Sequence, residues 1–311
     1  MTKILVTGGA GYIGSVLVPD LLTKGYDVTV VDNFMYKQTG LASSIRDKRF
    51  SLVCGDVRDE SLMKTLVAKS DVIIPLAAIV GAPACDLDPM AAHSINKDSI
   101  LWLLKQLSPN QRIIMPTTNS AYGSGDKDNY CDENSPLKPL SLYARDKVVV
   151  EKALMDSPNA TSFRLATVFG ISQRMRLDLL VNNFVYRALT DGFVVVFEGH
   201  FKRNYIHVLD VVQAFNLALD HEKAFSNEIF NVGLSEANIS KIELCQKIQE
   251  IIPSFTFLEA PLGKDPDQRN YIVSNLKIEA LGFKPTVSLA DGLSELQKGL
   301  ILFNHKPFSN V

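Results

Sequence analysis

A tyrosine and a lysine spaced four residues apart are the first groups in this 311-residue chain that could do chemistry together. Tyr143 and Lys147 both lie in a segment of helical periodicity, so their side chains project from one face of the helix about one turn apart. A free tyrosine has a pKa of about 10, and an adjacent ammonium group lowers that pKa by stabilising the phenolate. Of the nine tyrosines, Tyr143 alone has a lysine four residues later. The pair therefore predicts a general base for a hydroxyl proton, although an amphipathic helix with an ordinary surface tyrosine and lysine has the same spacing.

A glycine-rich turn near the N-terminus predicts what would work beside that base. The apolar run 4–7 leads into the sequence GGAGYIG, whose Gly8, Gly11 and Gly14 are three residues apart, and helical periodicity follows to Lys24. Glycines permit the tight turn and the approach of backbone N–H groups to a pyrophosphate, and the helix N-terminus offers the phosphates its partial positive charge. Strand, turn and helix in this order indicate a dinucleotide site. A purely structural glycine turn is the alternative.

The acidic residue expected about 20 residues beyond such a turn is Asp32, at the end of the next apolar strand. A carboxylate there accepts hydrogen bonds from the adenosine ribose hydroxyls and repels a 2′-phosphate, and no lysine or arginine follows until Lys37. The sequence thus predicts NAD rather than NADP as the cofactor. Asp56, after the third strand, is placed either to contact the adenine or to cap the helix that includes Ser61.

A third polar group is predicted where the fifth apolar strand ends in the sequence TTNSAYG. Parallel sheets bind their ligands at the carboxyl ends of the strands. The hydroxyl of Thr118 could therefore hydrogen-bond the substrate oxygen that becomes a carbonyl and pass its proton towards the phenolate of Tyr143. Turn formation is the alternative role for Thr117 and Thr118.

The elements that would position these groups alternate between short apolar strands and helices. This alternation indicates a parallel sheet covered on both faces, the doubly wound α/β (Rossmann) architecture. After residue 170 the alternation loosens without a linker, so we predict an NAD-binding Rossmann domain over 1–170 and a smaller C-terminal substrate-binding lobe over 171–311, with some strand exchange back to the first domain. The predicted strands are 4–7, 27–31, 50–54, 71–76, 112–116, 162–166, 193–197 and 228–232, and the predicted helices are 12–24, 60–68, 91–107, 142–155, 176–189, 210–220, 240–251 and 290–302.

Composition excludes several classes of function. The 32 Lys and Arg and 34 Asp and Glu give a net charge of −2 and a pI near 6.2, so no global field favours nucleic acid or an anionic membrane. The four cysteines and five histidines lack metal-ligand spacing, and no metal site is predicted. With no signal peptide and no apolar run of about 18 residues, the sequence predicts a cytoplasmic protein with no membrane segment.

Together these motifs resemble the extended short-chain dehydrogenases/reductases, and more narrowly their nucleotide-sugar epimerase/dehydratase branch. The resemblance rests on the glycine motif, on the acidic, threonine, tyrosine and lysine positions above, and on the run RNYIHV that begins at Arg203. It implies a catalytic triad of Thr118, Tyr143 and Lys147. The implied substrate-binding residues are Thr118, Asn119, Ser120, Arg174, Arg176, Asn182, Arg203 and Arg269, and the cofactor-binding residues are Gly8, Gly11, Tyr12, Ile13, Gly14, Asp32, Asn33, Asp56, Val57, Leu76, Ala77, Ala78, Tyr143 and Lys147.

The resemblance also narrows the reaction. Dehydratases and decarboxylases of the branch have an acidic residue just after the catalytic threonine, where this chain has Asn119 and Ser120. Epimerases that invert carbons beside the keto group often have a cysteine where this chain has Ala121. What remains is oxidation or reduction at one carbon of a nucleotide-diphosphate sugar, C4. The run 165–182 most resembles bacterial capsule enzymes that oxidise GDP-linked heptose at C4, which favours a GDP-linked substrate in surface-polysaccharide synthesis.

The resemblance leaves the net reaction and the assembly open. One alternative is a 4-epimerase, in which the keto sugar rotates and takes the hydride back. A second is a non-catalytic NAD-binding regulator, although such proteins usually lose the tyrosine or the lysine. In the family, the helices corresponding to 91–107 and 142–155 pair across a two-fold axis, which implies a homodimer; burial of these helices within one subunit is the alternative.

Overall fold

In the computed structural model, which describes residues 1–123, 130–261 and 270–303, helices flank a parallel sheet and smaller sheets lie beside it. The strands are β1 (Lys3–Thr7), β2 (Asp27–Asp32), β3 (Phe50–Cys54), β4 (Val72–Pro75), β5 (Arg112–Thr118), β6 (Tyr130–Cys131), β7 (Ala160–Leu165), β8 (Thr167–Phe169), β9 (Phe193–Val196), β10 (Lys202–His207), β11 (Glu228–Val232), β12 (Asn238–Ser240), β13 (Thr256–Glu259) and β14 (Ile272–Val273). The helices are α1 (Gly14–Thr23), α2 (Glu60–Val67), α3 (Ala82–Leu87), α4 (Pro89–His93), α5 (Ser99–Leu104), α6 (Leu142–Met155), α7 (Leu180–Thr190), α8 (Val208–Asp220), α9 (Glu222–Phe225), α10 (Lys241–Ile251), α11 (Leu276–Glu279) and α12 (Leu289–Gly299).

The main sheet has seven parallel strands in the order β11-β7-β5-β4-β1-β2-β3. From β1 the chain builds outward to β3, then returns to β4 on the other side and builds outward again. This reversal creates a crevice at the carboxyl ends of β1 and β4, where such sheets bind ligands. The predicted doubly wound α/β fold is confirmed. Strand β11 comes late in the chain and pairs along β7, at the outer edge of the sheet.

Successive residues of β1 belong to different apolar layers, as the two-residue period of a strand requires. Val6 packs in a cluster with Leu17 of α1 and Phe215 of α8 on one face of the sheet. Leu5 packs in a cluster with Met63 of α2 on the other face. A further cluster joins α7, α10 and α12 in the C-terminal half of the chain. Burial on both faces explains why the central strands are apolar at nearly every position.

The predicted helix 91–107 is interrupted in the structure. Between α4 and α5 the chain forms a π-helical turn, Ser94–Asp98, and the helix ends at Leu104. Asn96 lies in this wider turn, where its side chain accepts a hydrogen bond from the N–H of Ile79 and donates one to the carbonyl of Ile79, each 2.8 Å long. These two hydrogen bonds anchor the segment around Ile79, which borders the crevice, and they account for the wider turn. The pattern of apolar residues does not predict such a turn.

The predicted helix 176–189 begins four residues later, as α7. Arg176 instead binds Asp178 through its guanidinium, and the side-chain amide of Asn182 donates to the carbonyl of Arg176 over 2.9 Å. Side chains thus satisfy backbone groups that a helix would have paired, so the segment 172–179 is an irregular loop. The predicted helix 142–155 has the same bounds as α6.

No helix in the described ranges is long and apolar enough to cross a bilayer. Within the same ranges, no three His, Cys, Asp or Glu side chains cluster as metal ligands would. The four cysteines form no disulfide.

Candidate active site

The glycine turn after β1 forms one wall of a crevice of about 450 Å³. Gly8 has a φ of +65°, and a Cβ added there would lie 2.5 Å from the backbone nitrogen of Ala77. A Cβ on Gly14 would lie 2.4 Å from the carbonyl oxygen of Gly9. Only glycine fits these two positions. Gly8 packs against the segment that follows β4, and Gly14 packs against the turn at the start of α1. The N-terminus of α1 therefore faces the crevice closely enough to bind phosphate.

Asp32, at the carboxyl end of β2, lines the same crevice and is 6% exposed. Its carboxylate accepts hydrogen bonds from the N–H groups of Ala10 and Phe34, at 3.0 and 2.8 Å, and from Gln38 Nε2 at 3.1 Å. Burial raises the pKa of Asp32, while these donors act in the opposite direction. The glycine turn could bind a pyrophosphate, and the buried carboxylate of Asp32 follows it along the crevice. This order fits a dinucleotide, in which the adenosine ribose follows the pyrophosphate.

Asp56 also lines the crevice. Arg58 binds its carboxylate with two donors, at 2.8 and 2.7 Å, and Asn33 Nδ2 donates to it at 3.2 Å. The Arg58 guanidinium holds the pKa of Asp56 well below its usual range. Helix α2 is capped by Asp59, whose side chain accepts from the N–H of Leu62. The interpretation of Asp56 as a helix cap is therefore wrong.

Helix α6 brings the tyrosine and the lysine to the crevice. Ser141 caps the helix by accepting a hydrogen bond from the N–H of Ala144, and both Tyr143 and Lys147 line the crevice. Lys147 Nζ lies 5.8 Å from the ring centre of Tyr143 and donates to the carbonyl of Pro116 over 3.1 Å. Burial lowers the pKa of Lys147 to about 8. The ammonium group is thus beside the tyrosine and fixed to the end of β5.

Thr118 ends β5 and lines the crevice. Its hydroxyl donates to Ser120 Oγ over 2.9 Å and accepts from the N–H of Ser120 over 3.1 Å, so it caps the 3-10 turn Asn119–Tyr122. Turn formation, the alternative role for this residue, thus coexists with a position at the crevice. The neighbouring Thr117 hydroxyl contacts the carboxylate of Glu151 at 3.1 Å.

A buried ion pair lies behind these groups. Glu151, one turn beyond Lys147 on α6, accepts from Arg164 Nη2 at 2.6 Å and from its Nε at 3.1 Å. Ser162 Oγ donates to the same carboxylate over 2.9 Å, and Arg164 Nη1 donates to the hydroxyl of Tyr122 over 2.8 Å. Both charged side chains are at most 5% exposed. The pair ties α6 to β7 and to the turn after β5, which fixes the relative positions of the catalytic candidates.

Nearly all of the site residues predicted from sequence line this one crevice. They are Gly8, Gly11, Tyr12, Ile13, Gly14, Asp32, Asn33, Asp56, Val57, Leu76, Ala77, Ala78, Thr118, Ser120, Tyr143, Lys147, Arg174, Arg176 and Arg203. Arg269 lies outside the described residues.

Asn119 and Asn182 differ from this expectation, because neither lines the crevice. The 3-10 turn presents Ser120 to the crevice and buries Asn119, whose amide has no hydrogen-bond partner among the described residues. Asn182 is fully buried, accepts from the N–H of Gly170 over 3.1 Å and donates to the carbonyl of Arg176. It supports the loop that carries the arginines.

Two neighbours of Asp32 were not predicted. Tyr36 and Gln38 line the crevice from the loop that follows β2. Gln38 Oε1 accepts from the N–H of Tyr36 at 3.1 Å while its amide donates to Asp32, so the loop folds back over the strand end. The one sequence signal for these two residues is that they follow the acidic end of a strand, a position that borders the crevice.

A family model described as the NAD dependent epimerase/dehydratase family matches residues 4–233. The chain belongs to this family. NAD is therefore the cofactor of this enzyme.

Curated relatives and solved structures agree with this membership. A dTDP-glucose 4,6-dehydratase from an Actinoplanes species is 29% identical over 315 residues, covering 94% of this chain and 96% of that protein. A UDP-glucose 4-epimerase from Thermotoga maritima, solved with UDP-glucose, is 27% identical with a TM-score of 0.85, covering 97% of this chain and 99% of that chain. A UDP-glucuronic acid 4-epimerase from Bacillus cereus, solved with UDP-glucuronic acid and NAD, is 25% identical with a TM-score of 0.84, covering 97% of this chain and all of that chain.

Replacing Asp32 with serine should shift cofactor preference towards NADP. The variant loses the carboxylate that is predicted to bind the ribose hydroxyls and to repel a 2′-phosphate, so the ratio of the NADP to the NAD dissociation constant should fall about tenfold or more. Calorimetric titration with each cofactor measures this ratio. Asp32→Asn keeps an oxygen acceptor for the surrounding donors and should show the same direction, whereas Asp27→Ser, at the other end of β2, should leave the ratio unchanged. An unaltered ratio in folded Asp32→Ser and Asp32→Asn would refute this role.

Proposed function

We propose that this enzyme oxidises the C4 hydroxyl of a nucleotide-diphosphate sugar to a ketone with NAD. The observation that carries the proposal is the convergence of Thr118, Tyr143 and Lys147 on the crevice that contains the glycine turn. A hydroxyl, a phenol and an ammonium group at the wall of a nucleotide crevice suit removal of a hydroxyl proton. The substrate class is supported by relatives that are named for nucleotide sugars and that match this chain over nearly its whole length.

Tyr143, as phenolate, would take the proton of the C4 hydroxyl. Lys147 stabilises the phenolate by its charge, and its hydrogen bond to Pro116 keeps it there as the tyrosine changes protonation state. Thr118 would hydrogen-bond the same substrate oxygen and hold it towards Tyr143. NAD, when bound, supplies the acceptor for the C4 hydride.

The rest of the crevice supports chemistry at one carbon. Among the described residues that line the crevice, three carry a carboxylate: Asp32, Asp56 and Asp178. The same described lining contains no histidine, cysteine or glutamate. Asp32 and Asp56 stand at the adenosine end, and Asp178 is paired with Arg176 at 2.5 Å. A second acid or base for dehydration is thus missing from this part of the chain, which favours simple oxidation at C4.

We propose more narrowly that the substrate is GDP-linked, as in oxidation of GDP-heptose for bacterial surface polysaccharide in the cytoplasm. The support for this is the sequence run 165–182; the solved relatives above hold UDP-sugars. We assign residues 1–170 mainly to NAD and residues 171–311 mainly to the nucleotide sugar, with β11 returning to pair with β7 of the first part. Arg203, 3% exposed on β10, lines the crevice, and its planar guanidinium matches the oxygens of a diphosphate.

A panel of GDP-, UDP-, CDP- and dTDP-sugars, each incubated with enzyme and NAD, tests the function. Mass spectrometry should detect a keto sugar, two mass units below its substrate, together with NADH absorbance, from at least one nucleotide sugar. The Tyr143→Phe variant serves as the matched control and should form both products at least about 100-fold more slowly. Absence of keto sugar, epimer and NADH from every member would overturn the proposal.

The second candidate function is 4-epimerisation, which two solved relatives carry in their names. An epimerase returns the hydride to the other face of the sugar, so the panel would yield an epimer of unchanged mass without net NADH. Chromatographic separation of the sugars released from the nucleotide distinguishes this result from oxidation. NAD reduction by any nucleotide sugar would exclude the non-catalytic alternative.

We also propose that the enzyme is a homodimer. Val149, on α6, is 45% exposed, and pairing of α6 with its copy across a two-fold axis would bury it. Light scattering should give about twice the 34.3 kDa chain mass. Val149→Glu should shift the mass towards that of one chain. A single-chain mass for the unaltered protein at every concentration would contradict the proposal.

A further inference from the structure

The loop 172–179 lies against the glycine-turn helix through a short chain of hydrogen bonds. Ser172 Oγ donates to the carbonyl of Tyr12 over 2.7 Å and lies 2.8 Å from Ser15 Oγ. The N–H of Arg174 contacts Ser15 Oγ at 3.3 Å. The backbone of Arg174 is therefore held on the first turns of α1, the helix whose N-terminus faces the pyrophosphate position.

The side chain of Arg174 extends from there to the adenosine end of the crevice. Its guanidinium carbon lies 4.4 Å from the ring centre of Tyr36, in the loop that follows Asp32, and its Nη1 donates to the carbonyl of Met175 over 2.8 Å. Arg174 is 4% exposed and lines the crevice. Asp32 and Arg174 are close enough for each charge to act on the pKa of the other, against the larger effect of burial on both.

We propose that Arg174 binds the ribose-phosphate of the adenosine half of NAD, and not the substrate nucleotide that the family resemblance suggests. The inference rests on the NAD site described above. Arg174 lies between the N-terminus of α1, which would face the pyrophosphate, and the carboxylate of Asp32, which would face the ribose. A phosphate group of NAD that lies between these two places would contact the buried guanidinium. A fork of N–H donors matches the oxygens of a phosphate in pairs, which suits a guanidinium at this position.

Tyr36 acts as a positioning residue in this arrangement. Stacking on its ring fixes the plane of the guanidinium, which decides where the N–H donors point. Arg176, two residues on, directs its Nε and Nη2 to Asp178 of its own loop instead. The two arginines of this loop thus have different partners, although the sequence presents them alike.

Calorimetric titration of nucleotide-free enzyme with NAD, with ADP-ribose and with GDP and UDP tests the assignment. Arg174→Gln should weaken both NAD and ADP-ribose about tenfold or more and leave GDP and UDP affinities unchanged. Tyr36→Leu should weaken ADP-ribose less, and Tyr36→Phe should not weaken it, because the ring remains. Arg187→Gln is the matched control: this exposed arginine stacks on Phe193 at 6.0 Å outside the crevice, and its loss should change none of these affinities.

Unchanged ADP-ribose affinity in folded Arg174→Gln would overturn the assignment, as would a loss confined to GDP or UDP. If Arg174→Gln does not fold, Arg174→Lys carries the same test, because lysine keeps the charge but lacks the fork and the planar stack. It should still weaken ADP-ribose selectively. These titrations require no turnover, so failure of the sugar panel and failure of this assignment are separate results.

Discussion

Replacing Tyr143 with phenylalanine should lower turnover by about 10²–10⁴-fold while the protein stays folded and binds NAD. The variant keeps the aromatic ring that packs beside Leu142 and loses only the oxygen that would take the C4 proton. Lys147 keeps its hydrogen bond to the carbonyl of Pro116, so the wall of the crevice persists. NAD affinity should change by less than about tenfold, since one neutral hydrogen bond contributes about 0.5–1.5 kcal/mol.

Keto-sugar formation with the best substrate of the panel, followed by mass spectrometry, measures this loss, and calorimetry measures NAD affinity. Tyr26→Phe is the control, because Tyr26 does not line the crevice and its ring packs against the sheet. Its turnover should match that of the unaltered enzyme. Turnover of Tyr143→Phe above about one tenth of the original would rule out the tyrosine as the base.

Replacing Glu151 with alanine should lower the free energy of unfolding by about 3–5 kcal/mol. The substitution leaves the Arg164 charge buried without its carboxylate and removes a hydrogen-bond acceptor from Thr117 and Ser162. Thermal unfolding followed by circular dichroism should show a Tm lower by roughly 6–20 °C.

The exposed Arg187–Asp191 pair on α7 provides the comparison. Asp191→Ala should cost less than about 1 kcal/mol, because both partners remain in water. The double variant Glu151→Leu with Arg164→Met should recover part of the stability lost in Glu151→Ala, since no unpaired charge remains. Equal Tm values for Glu151→Ala and Asp191→Ala would show that the buried pair contributes nothing.

The sequence was sufficient to predict the fold wherever apolar periodicity is set by burial. Strand β11 and helix α6 have the predicted bounds, and buried residues recur along both of them. Strand β3 also has its predicted bounds, although its residues are exposed or only half-buried at the edge of the sheet. Prediction failed where side chains from distant parts of the chain replace backbone hydrogen bonds. The amide of Asn96 bonds to Ile79 across 17 residues, and no local pattern announces the wider helical turn there.

Motif spacing and the family resemblance together predicted site residues that mostly line one crevice, but neither indicates which way each side chain points. Asn119 follows Thr118 directly, and the 3-10 turn that buries it depends on a hydrogen bond between Thr118 and Ser120. The family resemblance placed Asn182 with Arg174 among the substrate-binding residues, but the side-chain oxygen of Asn182 accepts a hydrogen bond from the N–H of Gly170. Tertiary contacts decide the orientations of these side chains, and such contacts cannot be inferred from the spacing of residues in one sequence.

The late return of residues 228–232 to the sheet limits how this protein could be divided. A fragment ending at residue 170 would retain the glycine turn, Tyr143 and Lys147, but β7 would lose its outer neighbour. Phe163 would also lose the rings of Phe215, Phe225 and Phe230 that pack around it. The exposed strand edge and the uncovered aromatic surface would favour aggregation over folding. We therefore expect that residues 1–170 do not fold on their own. A chimera with a relative would have to exchange residues 1–170 and the segment 228–232 together.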